Sequence, residues 1–403
     1  MFFRIINLLL LSFLYISLNA QTPIVDVDFD DCNIVDNGSL AAKLILIDDA
    51  KCECGLEGES FEFDGVKDGI NFDDKVNFLF NSDFTLEFYF SVFNKFDIVD
   101  LVSFKNECSG DSSFSIQYFP SINEVRFLAR GSEFVNIELR LPLDDSQCWH
   151  HFAVVRNGFK YFIYLDGKVS ENKNSGDKYV FSNRNILSIS NNSCVYDINS
   201  SFQRFKGRID QFKVFNYALN ELELRKRRIL SDKILNQDTT IFLGDGIDIE
   251  MGPTCADNFN WSDKQDLSDP NILNPTITPE KSTKYYIYFL MKGKTCKDSI
   301  FIHILDKDKL DCEKLLLPNS FTPNGDGLND IIKISNNFIV DKLKSFEVYN
   351  RWGTRVFRTI DKNEGWDGNY KNEKINPGKY VYKVKYICKD KEYLGQGIIN
   401  LLR

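Results

Sequence analysis

Residues 149–169 read WHHFAVVRNGFKYFIYLDGKV, and this stretch decides the fold class of the N-terminal part of the chain. HFAVVR and YFIYLDGKV are short alternating runs rich in aromatic and β-branched residues, which suit a pleated, half-buried surface. Asn157-Gly158 stands between the runs, and Asp166-Gly167 lies inside the second. Turn dipeptides between alternating runs predict β-hairpins.

The same pattern extends outward on both sides. SFEFDG (60–65), DFTLEFYFSVF (83–93), SFSIQYF (113–119) and EVRFLAR (124–130) are further strand-like runs between Gly, Asn and Asp turns. Many short strands without a long amphipathic helix predict an antiparallel sandwich from about Ile24 to Leu230. One helix-like patch, NELELRKRRIL (220–230), follows the last strand.

The chain's 403 residues leave room for two or three domains, and 43% hydrophobic with 27% charged residues is a globular composition. Phe (35) and Tyr (17) are abundant, which again favours strands. A formal net charge of −9 argues against a nucleic-acid binder, which needs a basic footprint. The dense basic run Arg225-Lys226-Arg227-Arg228 reads as a solvated helix end before a linker.

MFFRIINLLLLSFLYISLNAQ, residues 1–21, has the three parts of a secretory signal: Arg4, an apolar run from Ile5 to Leu18, and Asn19-Ala20-Gln21. Cleavage is expected after Ala20, although Leu18 is larger than the usual small residue at its position. The apolar run is short for a bilayer span, so export is the stronger reading. Ten cysteines fit an oxidising compartment. They fall as Cys32, Cys52, Cys54, Cys108, Cys148 and Cys194, then Cys255 and Cys296, then Cys312 and Cys388. Groups of six, two and two suit three separately closed modules.

The middle stretch, about Lys233 to Asp306, resets the pattern. TTIFLGDGIDIEM (239–251) and KYYIYFLMKGKTCKDSIFIHIL (284–305) are alternating strands around a Pro/Asn/Asp-rich segment. A small immunoglobulin-like sandwich follows, with Trp261 and a Cys255–Cys296 bridge expected in its core. From Leu315 onward a third all-β unit is expected, with strands at IIKIS, SFEVYNRWG, RVFRTI, KYVYKVKYICK and GIINLLR. Cys312 and Cys388 are its disulfide candidates.

PNSFTPNGDGLND (318–330) leads into that unit and looks like a fragment of a calcium loop. An EF-hand loop needs oxygen ligands at positions 1, 3 and 5, Gly at 6 and an acidic residue at 12. Counting from Asn324, Leu328, Asn329 and Ser335 occupy positions 5, 6 and 12, so that reading fails. The composition predicts a tight turn instead: Pro323 presets one φ, and Gly325 and Gly327 take positive φ.

Signals for catalysis are sparse. His150 and His151 are adjacent on one strand, so their side chains point to opposite faces and cannot share a metal. His303 lies elsewhere, and no HExxH, GxSxG, P-loop or GxGxxG phrase is present. No catalytic residue is assigned, and the chain is read as a non-enzyme.

Three phrases carry a family resemblance: GESFEFDGVKDGINF (58–72) with DFTLEFYF, WHHFAVVRNGFKYFIYLDGKV, and FKGRIDQFKVFNYALNELEL (205–224). In order and spacing they resemble the laminin-G-like branch of the concanavalin A-like jelly rolls. The resemblance implies glycan or protein binding through loops at one edge, often with calcium. Oxygen ligands for such an ion are available in Asp64, Asp68, Asp166, Asn191, Asn192 and Asp197. The middle module resembles Ig-like or PKD-like repeats of secreted Bacteroidetes proteins, which imply a spacer.

The tail resemblance is more extensive. LLLPNSFTPNGDGLND, FEVYNRWGTRVF, GWDGNY, NPGKYVYKVKY and GIINLLR are similar, in order, to the gliding-motility-associated C-terminal domain. That domain is the type B sorting domain of the type IX secretion system. The residues that carry the match are Pro318, Asn319, Phe321, Thr322, Pro323, Asn324, Gly325, Asp326, Gly327, Asn329 and Asp330, then Asn350, Arg351, Trp352 and Gly353, then Trp366, Asp367 and Gly368. The resemblance implies recognition by the type IX machinery in the outer membrane.

The expected organisation is therefore all-β. A signal peptide (1–20) precedes an antiparallel jelly-roll sandwich (21–232), and two small Ig-like modules (233–310 and 311–403) follow. The expected protein is a secreted, adhesin-like surface binder. A structural component of the surface layer or matrix is the alternative reading, and a polysaccharide-acting enzyme is a weaker one.

Overall fold

A computed structural model describes residues 22–95, 98–106, 112–131, 136–170, 172–175, 180–190, 202–325 and 328–402. The expected signal peptide, Cys108, Cys194, Asn191, Asn192, Asp197, Asp326 and Gly327 lie outside the described residues. The chain forms two compact units. One runs to Thr239 and includes Asp245–His303; the other takes Thr240–Gly244 and everything from Ile304 onward.

Two packed sheets form the jelly roll. The first is ordered Lys168–Val169, Lys160–Leu165, His150–Asn157, Phe84–Val92, Lys206–Phe215, Glu59–Asp64, Lys51–Cys54, with two short strands attached. The second is ordered Asn136–Pro142, Glu124–Arg130, Ser113–Phe119, Ile98–Lys105, Ile186–Ile189, Gly69–Phe72, Leu44–Ile47. Their inner faces enclose a core dense in Phe, including Phe63, Phe72, Phe80, Phe88, Phe104, Phe114 and Phe212. Ring contacts such as Phe80–Phe84 at 5.1 Å and Phe104–Phe114 at 5.3 Å run through that core. The Phe excess in the composition is thus mainly packing.

The deciding hairpin forms, with one change of register. Asn157 pairs with Lys160, so the loop residues are Gly158 and Phe159 rather than Asn157-Gly158. Gly158 has φ 59°, and glycine at the first loop position suits a type II′ turn. Asp166-Gly167 is a two-residue loop with φ of 51° and 81°, as a type I′ turn requires.

Among the described residues the α-helix Glu221–Arg227 follows the closing strand. Asn220 and Glu223 cap it reciprocally: the Asn220 side chain accepts from the Glu223 N–H, and the Glu223 carboxylate accepts from the Asn220 N–H. The basic run at its end is less solvated than expected. Arg227 donates to Glu87 and lies over Phe215, and Arg228 donates to the Asp166 carbonyl.

In the middle segment, Asn258–Trp261, Thr283–Met291 and Lys294–Leu305 are adjacent antiparallel strands. Trp261, the last residue of the first of these strands, is fully buried. The expected Cys255–Cys296 bridge does not form. Cys255 bonds to Cys54 and Cys296 to Cys148, so both cysteines of this segment tie it to the jelly roll. Separate closure of each module is thereby overturned; Cys32–Cys52 and Cys312–Cys388 do close locally.

The second unit is built on Gly378–Cys388 paired with Lys391–Leu401, flanked by Lys342–Tyr349 and Arg355–Thr359. The short strand Ser320–Phe321 adds in parallel to Lys391–Leu401. IIKIS is not a strand. Ile332 makes one isolated bridge to Trp366, and the run serves to bury Ile332 and Ile334.

Candidate functional site

A concavity of the first unit lies beside the Cys148–Cys296 disulfide. The Cys148–Cys296 bond fixes the hairpin Thr283–Met291/Lys294–Leu305 against the jelly roll. The Lys297 N–H donates to the Ser146 carbonyl at 2.8 Å beside that bond. Lys292 and Gly293 form the hairpin loop with φ of 46° and 81°, the conformation a tight two-residue turn demands. A cleft of about 500 Å³ opens between this turn and the jelly-roll rim.

Three jelly-roll segments supply its far wall. Phe93 and Asn94 follow the strand Phe84–Val92, Tyr118 and Pro120 end Ser113–Phe119, and Leu143 and Asp145 follow Asn136–Pro142. The Asn94 side chain accepts from the Lys206 N–H at 2.7 Å, which holds this rim in place. Tyr118 donates to Asn123 Oδ1 at 3.0 Å, and Asn123 Nδ2 donates to Asp145 at 2.9 Å. Burial, assisted by Asp145, pushes the Tyr118 hydroxyl up to about 12.

Lysines face this wall from the hairpin. Lys292 Nζ lies 3.3 Å from Glu53 and 3.6 Å from Glu62. Lys294 is half-buried, and burial lowers its ammonium pKa against the opposing pull of Asp145, Asp166 and Asp144. The cleft can offer a ligand an apolar surface, hydrogen-bond acceptors and positive charge. Sequence reading missed it because its two walls lie far apart in the chain.

The calcium candidates separate sharply. Asp166 is committed elsewhere: one oxygen sits 2.7 Å from His150 Nδ1 and the other accepts from the His151 N–H at 2.9 Å. Burial pushes this carboxyl up, but its bonds to His150 and His151 and the charge of Arg228 outweigh it and hold the pKa below the ordinary value. Asp64 Oδ1 accepts from the N–H groups of Val66, Lys67 and Asp68, a turn role. Asp68 differs. It is 3% exposed, its Oδ2 accepts from the Asp64 N–H, and its Oδ1 has no hydrogen-bond partner. Asp48, Asp49 and Asp68 each offer an oxygen within 4.8 Å of the others. Such a set fits a hard cation. The sequence signal available was the Asp48-Asp49 pair closing the run LILIDD.

His150 and His151 are structural. His150 packs beside Phe90 and bonds Asp166; His151 packs beside Tyr89, with Nε2 3.3 Å from Glu87. Burial pushes the Glu87 carboxyl up, and His151 and Arg227 more than reverse it.

The sorting-motif residues divide by role. Phe321 and Trp366 are core residues with ring centroids 5.3 Å apart, and Trp366 Nε1 donates to the Asn369 carbonyl. Thr322 N–H donates to the Asn329 carbonyl, and the Gly325 N–H donates to Asp330, closing the loop after Pro323. Gly325, Gly353 and Gly368 have φ of 83°, 76° and 77°. The Asn350 side chain accepts from the N–H groups of Trp352 and Thr354, and Asp367 accepts from Asn369. Asn319 receives the Asn400 N–H, whereas Pro318 and Asn324 are exposed. Trp352 is 78% exposed with the Arg351 guanidinium 5.1 Å from its ring.

A jelly roll with a disulfide-stapled cleft, and a second cystine-closed β unit, define a disulfide-bonded all-β protein. Residues 64–225 match the family described as the concanavalin A-like lectin/glucanases superfamily. Residues 315–401 match the type IX secretion signal domain, which marks the protein for export to the cell surface or extracellular space. No curated relative matches the sequence. Among solved structures, the binding domain of Paraclostridial Mosquitocidal Protein 1 is similar at 15% identity over 94% of this chain and 86% of that one, with a TM-score of 0.44. The botulinum neurotoxin serotype D binding domain is similar at 12% identity over 68% and 73%, TM-score 0.43. Domain 4 of AbnA, a GH43 extracellular arabinanase from Geobacillus stearothermophilus in complex with arabinotriose, is similar at 14% identity over 51% and 97%, TM-score 0.39.

Proposed function

We propose that the protein is a surface adhesin-type binder that enters the secretory route through residues 1–20 and is sorted by its C-terminal domain. Its jelly roll holds a glycan in the cleft between Phe93, Asp145 and the Lys292-Gly293 turn. The observation that carries this reading is the cleft itself. Two disulfides fix its walls in advance, and preorganised walls reduce the ordering cost of binding. A concave site with few placed polar groups is where a ligand is held best.

A non-catalytic role is supported by the lining. Among the described lining residues Asp145 is the one carboxylate, whereas glycoside hydrolysis uses two. Any calcium used by the head would be held by Asp48, Asp49 and Asp68. On the sorting domain, the exposed Arg351-Trp352 turn is the surface offered to the export machinery.

A glycan array probed with the mature chain, with and without chelator, tests the binding reading. Binding to a defined glycan set is expected. Absence of binding to every glycan and surface polymer would leave the structural-component reading in its place.

A further inference from the structure

Resting on that binding reading, we infer that the cleft takes a carboxylate-bearing saccharide of the uronic-acid type, with Lys294 as the counter-ion of the carboxylate. The polar groups around Lys294 are already engaged. Asn94 holds Lys206 and Arg204, Asn123 joins Tyr118 to Asp145, and Lys292 is shared by Glu53 and Glu62. Among the described residues, the Lys294 ammonium donates no hydrogen bond, while Asp145, Asp166 and Asp144 draw on its charge from a distance. A partly desolvated cation that donates no hydrogen bond favours an incoming hydrogen-bonding anion.

The charge balance points the same way. Lys95 and Lys294 line the cleft with Asp145 in a chain of net charge −9, while Lys292 is held by Glu53 and Glu62. Asp145 also narrows the ligand. A densely sulfated chain would meet repulsion from this carboxylate, whereas a uronic sugar brings hydroxyls that donate to it. The half-buried ring of Phe93 offers the sugar an apolar surface. Rigidity follows from position: Lys294 is two residues from Cys296, whose disulfide pins the strand.

The test uses the mature full-length chain with oligogalacturonate, a neutral dextran, dextran sulfate and poly-glutamate. Oligogalacturonate should bind, and binding should weaken as salt rises in the wild type. Lys294→Gln should weaken it by about tenfold or more, and Lys294→Arg should restore much of the loss. Unfolding midpoints of both variants are measured alongside, and the wild-type salt dependence stands even if a variant misfolds. Salt-insensitive binding, or Lys294→Gln binding as well as wild type, overturns the inference. Dextran binding without oligogalacturonate binding overturns it while leaving the glycan-binding reading intact. Tighter binding of dextran sulfate or poly-glutamate rejects the uronic class. Failure to bind any saccharide removes both readings.

Discussion

Cys148, at the end of the jelly-roll rim, is bonded to Cys296 on a strand of the following segment, with Cα atoms 5.4 Å apart across 148 residues of sequence. Together with Cys54–Cys255, which spans 201 residues, it makes the spacer-like segment part of the same compact unit as the jelly roll. Non-reducing peptide mapping should recover the pairs Cys54–Cys255 and Cys148–Cys296. A Cys255–Cys296 peptide would contradict this connectivity. Replacing both Cys148 and Cys296 by Ser should cost about 2–5 kcal/mol of stability, measured by denaturant unfolding.

Asp232 lies where the chain leaves the jelly roll. Its Oδ1 accepts from Thr254 at 2.5 Å, while buried Oδ2 has no partner. Burial pushes its pKa up to about 6, partly opposed by Thr254 and Lys233. The folded value exceeds the unfolded one, so this group's stabilising contribution is complete below about pH 4 and is lost as pH rises through about 6. The loss should be on the order of 1–3 kcal/mol. Asp232→Asn should remove it, so the variant gains on the wild type between pH 4 and pH 7 in chemical-denaturation curves. A constant difference across that range would show that Asp232 titrates normally.

The two Trp residues of the sorting motif should behave oppositely. Trp366 is buried between Phe321 and Tyr380, and Trp366→Ala should cost about 3–5 kcal/mol. Trp352→Ala should change stability by no more than about 0.5 kcal/mol because the ring is exposed. Cell fractionation should nevertheless show reduced surface display of the Trp352 variant. Normal display would remove this turn from the recognition surface.

Calcium should raise the thermal midpoint of the wild type, and chelation should reverse the rise, because a ligand bound to the native state alone stabilises it. Asp68→Asn should abolish the response, since Asp68 supplies the buried, unpartnered oxygen. Asp166→Asn should leave it in place, because that carboxylate is already held by His150 and His151.

The strands were legible because their side chains alternate, and the Asn220–Glu223 cap because its residues are three apart. The hairpin slipped by one residue because Gly158, rather than Asn157, takes the positive φ. IIKIS misled because the alternation Ile332-Lys333-Ile334-Ser335 also suits an extended loop that buries Ile332 and Ile334. The cystine pairs, the Asp48–Asp49–Asp68 set and the Lys294 cleft each join segments distant in sequence. No local pattern encodes which sheet edges meet. Asp166 misled for a related reason: its residue type suits calcium, but its neighbours had already satisfied it.

Deletion of Leu315–Arg403 in the native host, followed by fractionation, measures most directly whether this binding head is a surface protein sorted by its tail. Truncated protein held in the periplasm, with the full-length chain at the surface, is the predicted result. Truncated protein reaching the surface at the normal level would contradict the account.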